Sequence, residues 1–240
     1  ITVVCSEMGW VRAMKGHIDL GSELKFKDGD GPRFIFHAET TDRLLVFGSN
    51  GRFYTVSAAN LPGGRGMGEP LRLMVDLPND IQIVDFFIHR PGEKLIVASQ
   101  GGNGFVVPEA DVVAQTRAGK QVLNVKDDVA RICHPVRGDH VAVVSENGRL
   151  LVFPLTELPE MTRGKGVRLQ KYNQVRGRQG TLELDGGLSD LTTFTFAEGL
   201  SWPMGGGRTR HEPDMSDWVG KRAGVGKKPP HGFPRDYKFG

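Results

Sequence analysis

The chain has 240 residues, a net charge of +3, only 38% hydrophobic residues, and as many as 33 glycines and 14 prolines. This composition favours many short strands joined by turns over a large helical core. No run of 18 apolar residues and no charged-then-apolar leader occurs, which excludes a helical membrane span and a signal peptide within the chain. Because there is no initiator methionine, we expect a domain of a longer protein.

The positive charge is unevenly distributed along the chain. Residues 1–160 hold 17 Lys and Arg against 20 Asp and Glu, whereas residues 161–240 hold 14 against 8. A basic last third predicts a surface that contacts a polyanion.

The two cysteines, Cys5 and Cys133, lie in or beside apolar strand-like runs and have no metal-ligand spacing. We expect both to be buried small hydrophobes in a reducing, cytoplasmic setting. His134 and His140 near Cys133 offer only three ligands at irregular spacing, and no Walker loop or catalytic triad order is present. The sequence therefore predicts no metal, no cofactor and no active site in this chain.

One phrase recurs about five times: a β-branched run, a glycine-centred turn and a second apolar run. A hairpin repeated every 40–50 residues is typical of bladed β architectures. Asn-Gly pairs mark three of the turns, because such pairs supply the positive φ of a tight hairpin. The predicted turn glycines are Gly9, Gly51, Gly104, Gly148 and Gly199.

Further strand candidates lie between the hairpins, at residues 81–88, 121–125 and 129–133, and only residues 109–115 offer a helical turn. Each repeat thus supplies about four strands, which predicts one all-β domain over residues 1–225. The predicted blades are 1–43, 44–94, 95–140, 141–190 and 191–225. Residues 226–240 form a basic Gly/Pro tail, predicted to be an extended strap or disordered.

Loops that mix glycine with Arg or Lys follow the hairpins. Glycine lets a backbone approach a phosphate and expose its N–H groups, and a neighbouring cation neutralises the charge. Repetition at one phase predicts a curved basic track along the rim, which suits a bent duplex without base readout. The loops span residues 61–68, 116–120, 162–168, 205–210 and 220–224.

Residues 162–180 are the densest basic segment, with no acidic residue and one interleaved aromatic, Tyr172. We predict DNA binding first by Arg163, Lys165, Arg168, Lys171, Arg176 and Arg178. A second group comprises Arg65, Arg117, Lys120, Arg208, Arg210, Lys221 and Arg222.

The blade phrase followed by an Arg/Lys-Gly-x-Gly loop resembles the C-terminal domain of bacterial type IIA topoisomerase A subunits, the gyrase A and topoisomerase IV A (ParC) family. Residues 44–75, 95–125 and 141–169 carry the resemblance, and residues 1–27 and 191–222 carry it less clearly. It implies a β-pinwheel, a propeller-like disc whose blades exchange strands and whose rim bends DNA. The sequence leaves open whether the disc closes.

Gyrase A subunits of this family carry a Gln-Arg-Arg-Gly-Gly-Lys-Gly type box in the first blade, and residues 11–20 lack it. Five units with a degenerate box are similar to the topoisomerase IV version. The resemblance then implies a non-catalytic domain that bends duplex DNA for an ATP-dependent enzyme at the nucleoid. Its partners would be DNA, the rest of the A subunit, the ATPase B subunit, and a chromosome-organising protein.

Two alternatives stay open at this point. One is a gyrase-type domain that wraps DNA for negative supercoiling. The other is a propeller scaffold that binds proteins without DNA, against which the chain shows no Gly-His…Trp-Asp signature.

Overall fold

The computed structural model describes residues 1–240, which form short antiparallel strands and single turns of 3-10 helix. None of the helices has the length and apolar character needed to cross a bilayer. The strands are β1 Thr2–Ser6, β2 Trp10–Met14, β3 Pro32–His37, β4 Arg43–Gly48, β5 Arg52–Ser57, β6 Glu69–Pro70, β7 Ile83–Ile88, β8 Lys94–Ser99, β9 Asn103–Pro108, β10 Lys120–Gln121, β11 Ala130–Pro135, β12 His140–Ser145, β13 Leu150–Pro154, β14 Val167–Arg168, β15 Gln174–Arg176, β16 Leu182–Leu184, β17 Leu188–Phe194, β18 Leu200–Gly205 and β19 Arg208–Glu212.

The 3-10 turns lie beside the strand ends. One of them coincides with the helical turn predicted at residues 109–115. They are Ala58–Asn60, Leu71–Leu73, Glu109–Val112, Leu155–Glu157, Phe196–Glu198 and Ser216–Trp218.

Four hairpins, β1–β2, β4–β5, β8–β9 and β12–β13, share one turn geometry. A glycine with positive φ donates its N–H to the carbonyl oxygen three residues earlier, which is a common way to close a three-residue hairpin loop. The prediction of Gly104 as a turn glycine was wrong, because Gly104 lies inside β9 and Gly102 makes the turn. The pairs are Gly9 to Ser6 at 3.0 Å and Gly51 to Gly48, Gly102 to Ser99 and Gly148 to Ser145, each at 2.9 Å.

Each sheet takes its fourth strand from beyond the next hairpin along the chain. The strand orders are β3-β1-β2-β6, β7-β4-β5-β10 and β11-β8-β9-β14. A fourth sheet, β17-β12-β13, receives Lys227 as a bridge to Leu150, with N–H to carbonyl distances of 2.7 and 2.9 Å. The sheets are therefore interleaved in sequence, and the blade boundaries given above stay a prediction.

The fifth predicted hairpin, around Gly199, was wrong. Strand β17 pairs with β12, for example Leu191 with Val143, and the turn Phe196–Glu198 separates β17 from β18. The fifth hairpin is instead β18–β19, which turns through three glycines with positive φ at residues 205–207 and forms a two-stranded sheet.

The chain forms two compact units, each with its own apolar core. The first comprises residues 1–92 and 109–122. Its core contains Val3, Leu44 and Phe86, and the rings of Phe34 and Phe36 meet Phe86 edge-on at 6.2 and 5.4 Å. Edge-to-face packing of this kind adds to the free energy of burial.

The second unit comprises residues 93–108 and 123–240. One part of its core includes Ile96, Val143 and Phe153. Another part joins β12 and β13 to the C-terminal segment through Trp202 and Phe239, which are 1% and 8% exposed.

The tail predicted at residues 226–240 runs as an extended strap in the second unit. The backbone N–H of Phe239 donates to the Asp190 carboxylate at 2.7 Å, and the Phe233 ring lies 5.2 Å from Trp202. The strap thus contributes apolar side chains to the core of this unit.

Asp85 on β7 is a buried carboxyl whose ionisation opposes folding. Burial raises its pKa to about 6, although the Phe86 N–H donates to it at 2.8 Å and Arg33 lies nearby. A pKa above the unfolded value means that the folded state holds the proton more tightly. Stability is therefore greatest below about pH 4 for this group and falls as pH rises through 6.

We predict that Asp85→Asn raises the free energy of unfolding at pH 7.5 by about 1–2 kcal/mol and changes it little at pH 4. Denaturant unfolding at both pH values measures this. Asp214→Asn is the control with opposite sign, because hydrogen bonds from Ser216 lower the pKa of Asp214. An equal effect of Asp85→Asn at both pH values would contradict the assignment.

Candidate nucleic-acid interface

Four of the sheets share a glycine at the point where the fourth strand reaches the hairpin. In each case φ is positive and the next residue pairs with the second hairpin strand. A Cβ there would lie 2.2–2.6 Å from a backbone carbonyl oxygen, so no other residue fits without a shift of the strand. The glycines and the carbonyls they approach are Gly68 with Val11, Gly119 with Phe53, Gly166 with Gly104 and Gly226 with Leu150.

The basic residues of four predicted loops immediately precede these glycines. Arg65, Arg117, Lys165 and Arg222 therefore occupy comparable places in successive sheets. The repetition detected in the sequence corresponds to one local geometry used four times.

The first loop is fixed by Arg12, a residue that the sequence analysis did not single out. Arg12 is 5% exposed and donates to the carbonyls of Gly66 at 2.8 Å and Lys25 at 2.7 Å. Its guanidinium also lies 5.4 Å from the Phe26 ring centre. Arg65 remains exposed without an ion pair. An arginine in the middle of an apolar hairpin strand was the available sequence signal.

The cations of the second loop are already engaged. Arg117 lies 3.4 Å from the Asp76 carboxylate and donates to Leu73 O at 2.8 Å. Lys120 donates to Asp111 O at 2.5 Å. The Arg117 pair is 60% exposed on both sides, so it costs little to break, but it weakens the positive potential of this loop.

The third loop and the segment after it carry the densest free charge, and all of it lies in the second unit. Arg163, Lys165 and Lys171 are exposed and make no ion pair. Arg168 lies in β14 with its guanidinium 3.5 Å from Gln170 O.

A second basic segment, residues 221–222, pairs with this one although it lies some fifty residues later. Ala223 N–H donates to Leu169 O at 2.9 Å, Lys171 N–H donates to Gly224 O at 3.0 Å, and Arg222 donates to Arg168 O at 2.7 Å. Six of the predicted DNA-binding residues are thereby gathered in one unit. They are Arg163, Lys165, Arg168, Lys171, Lys221 and Arg222.

Gln170 holds these two segments together from the inside. It is fully buried, and its side-chain amide donates to Arg149 O at 2.9 Å and Val225 O at 3.0 Å. Nothing in the sequence distinguishes this glutamine from an exposed one among cations, because its role depends on a pairing across distant segments.

Tyr172 does not interleave with the cations as the sequence indicated. It is 5% exposed, and burial raises the pKa of its hydroxyl. A Cβ on Gly102 would lie 2.6 Å from its ring, so the tyrosine packs over the β8–β9 turn. The aromatic residue is therefore part of the core.

The predicted loop at residues 205–210 is not a fifth copy of the glycine loop. It is the turn and second strand of the β18–β19 hairpin. Arg208 is exposed, but Arg210 donates to Glu212 Oε1 at 2.5 and 3.0 Å and to His231 O at 3.0 Å. Arg176 and Arg178 lie on another hairpin, β15–β16.

An open cleft of about 1060 Å³ in the second unit is lined by Lys165 and Arg168 on one side. Asp127, Asp128 and Glu146 line it as well. This mixture of charges suits a wide contact with a charged surface better than an enclosed small anion.

A family model described as the DNA gyrase C-terminal domain, beta-propeller, matches residues 42–89, 93–132 and 139–174, just over half of the chain. The chain belongs to this gyrase A and ParC C-terminal β-pinwheel family. The all-β architecture and the repeated hairpins predicted from the sequence are confirmed.

Proteins of the family similar to this chain are topoisomerase IV A subunits. The chain is 48% identical over 239 residues to the DNA topoisomerase 4 A subunit of Caulobacter vibrioides, covering 100% of the chain and 30% of that protein. The Escherichia coli K12 protein of the same name is 32% identical over 191 residues, covering 77% of the chain and 25% of that protein. The chain thus spans less than a third of these relatives.

A solved structure of the E. coli ParC C-terminal domain superposes with a TM-score of 0.79 at 28% identity, covering 98% of the chain and 95% of that domain. This pinwheel chain is accordingly a C-terminal domain of the topoisomerase IV A-subunit type. A gyrase A C-terminal domain, at 17% identity and a TM-score of 0.60, shares the fold.

We predict that Gly68→Ala lowers the free energy of unfolding by about 2 kcal/mol or more, through the left-handed backbone and the clash with Val11 O. Gly66→Ala, two residues away, is the control, because its φ is ordinary and its Cβ would meet no atom within 4 Å. Thermal and denaturant unfolding measure both. Equal stabilities of the two variants would show that the glycine is not required at residue 68.

Proposed function

We propose that this chain binds and bends double-stranded DNA for a type IIA topoisomerase, in the manner of a topoisomerase IV A subunit. The bent duplex would be presented as the transported segment during decatenation and relaxation of supercoils. The parent enzyme would be ATP-dependent, with the chemistry in other parts of the protein.

The observation that carries the proposal is the glycine-hinged loop present in four sheets. Each glycine brings a backbone segment against the hairpin, and a cation precedes it at the surface. Exposed cations next to glycine are suited to phosphate oxygens, which are regularly spaced along any duplex.

The distribution of free cations favours contact with the backbone of DNA over base readout. Arg163, Lys165 and Lys171 are exposed, and no neighbouring side chain holds them in a fixed orientation. Base recognition usually requires a fixed, often bidentate geometry, whereas phosphate neutralisation does not. We therefore expect binding that depends strongly on salt and weakly on sequence.

The partners of the domain follow from the same proposal. They are duplex DNA, the remainder of the A subunit, and the ATPase B subunit. The site of action is the nucleoid in the cytoplasm. The acidic first unit could serve a chromosome-organising protein, because its exposed cations are fewer and partly neutralised.

We expect fluorescence anisotropy of a 40-base-pair duplex to show similar affinity for two unrelated sequences. The logarithm of the binding constant should fall linearly with the logarithm of salt concentration, with a slope of about −0.9 for each phosphate engaged. Absence of binding at low salt would reject DNA bending and favour a protein scaffold.

Reversal of three charges in the basic cluster, Arg163→Glu with Lys165→Glu and Lys171→Glu, should weaken duplex binding at least tenfold. The salt slope should become shallower by about 3, because three phosphate contacts are lost. All three side chains are exposed, so we expect folding to be unchanged by circular dichroism.

The control reverses three exposed cations of the first unit outside its glycine loops, Lys15→Glu with Lys25→Glu and Arg43→Glu. It changes the net charge by the same amount. If both triple variants lost affinity equally, net charge and not the cluster would explain the binding.

A gyrase-type function remains the second candidate, because the matching family model is that of the gyrase C-terminal domain. Ligation of nicked plasmid in the presence of the chain separates the two. We expect only a small change in linking number, since residues 11–20 lack the gyrase box. A large change of one sign would indicate chiral wrapping.

A further inference from the structure

The hairpin β15–β16 is an addition to the repeating plan of the sheets. The chain passes from a fourth strand to the following outer strand three times, over residues 71–82, 122–129 and 169–187. Only the last of these connections contains a hairpin, with strands Gln174–Arg176 and Leu182–Leu184.

The hairpin pairs only with itself, and all six of its strand residues are exposed. Val175, Leu182 and Leu184 are 45%, 67% and 43% exposed. These are three of the ten large hydrophobic side chains that the whole chain exposes. Such a concentration of apolar surface in so few residues indicates a contact with another molecule.

The strand register places the two leucines on one face with a cation. Leu184 lies opposite Gln174, and Leu182 lies opposite Arg176. Residues directly opposite in an antiparallel pair share a face, and alternate residues of a strand do so as well. This face therefore presents Leu182, Leu184, Gln174 and Arg176, without a carboxylate.

The negative charge of the hairpin lies on its other face. Glu183 is paired with Val175, and its carboxylate accepts the Thr181 hydroxyl at 3.3 Å. Arg178 lies in the exposed turn and, like Arg176, makes no ion pair. At the base of the hairpin, Asp185 N–H donates to Asn173 O at 2.7 Å, two residues from Lys171 in the basic cluster.

We propose that the β15–β16 hairpin enters the minor groove of the bound duplex and that Leu182, supported by Leu184, wedges between two base pairs. This rests on the DNA binding proposed above and adds the groove and the mode of contact. Arg176 and Arg178 would face the phosphates or the electronegative groove floor, and the wedge would kink the duplex. The adjoining cations favour DNA over a protein partner on this face.

Unstacking is measured with 2-aminopurine placed at the TA steps of a 40-base-pair duplex, because this base becomes more fluorescent when it leaves the stack. TA steps kink most easily. With the full 240-residue chain at saturation, we expect at least a twofold rise in fluorescence. The variant Leu182→Ser with Leu184→Ser should lose most of this rise and bind about three- to tenfold more weakly.

Leu73→Ser with Leu20→Ser is the matched control, because these leucines are 64% and 47% exposed and lie in the first unit. It should behave as the unaltered chain. Anisotropy on the same samples separates the two proposals. No DNA binding by the unaltered chain would reject the proposed function.

Normal binding with the same fluorescence change in both double variants would overturn the wedge alone. Normal binding with no fluorescence change in the unaltered chain would overturn it as well. In either case the leucine face would be assigned to a protein contact.

Discussion

Each fourth strand reaches its sheet only because a glycine at the end of the preceding loop adopts a left-handed conformation against a carbonyl oxygen. At Gly166 a Cβ would lie 2.2 Å from Gly104 O, and comparable contacts recur in three other sheets. The exchange of strands between successive repeats depends on this close approach. The same approach determines where the basic residues of each loop reach the surface, so fold and interface share one steric requirement.

Buried polar side chains hold these loops in different ways in the two units. In the first unit, Arg12 satisfies two carbonyls of the surrounding loops without a carboxylate partner. In the second unit, the neutral Gln170 does the same for two carbonyls. A buried group left without such partners is costly, so each polar side chain stabilises one loop arrangement over others. The exposed cations beside them are therefore attached to a rigid backbone.

Free positive charge is concentrated where the chain returns on itself. Residues 169–171 pair with residues 223–224, and this pairing brings two basic segments together. Elsewhere the charge is partly neutralised, as for Arg117 beside Asp76 and Arg210 beside Glu212. Counting cations in the sequence therefore overestimates the contribution of the second and fifth loops.

The sequence alone determined the all-β class, the hairpin repeat, the basic glycine loops and the family, because turn glycines and alternating apolar residues act over a few residues. Only the tertiary structure decided that Gly102 and not Gly104 makes the third turn, that residues 205–210 form a hairpin, and that Tyr172 is buried. It also showed the interleaved strands and the roles of Arg12 and Gln170. These features depend on contacts between residues far apart in the chain, which local patterns do not encode.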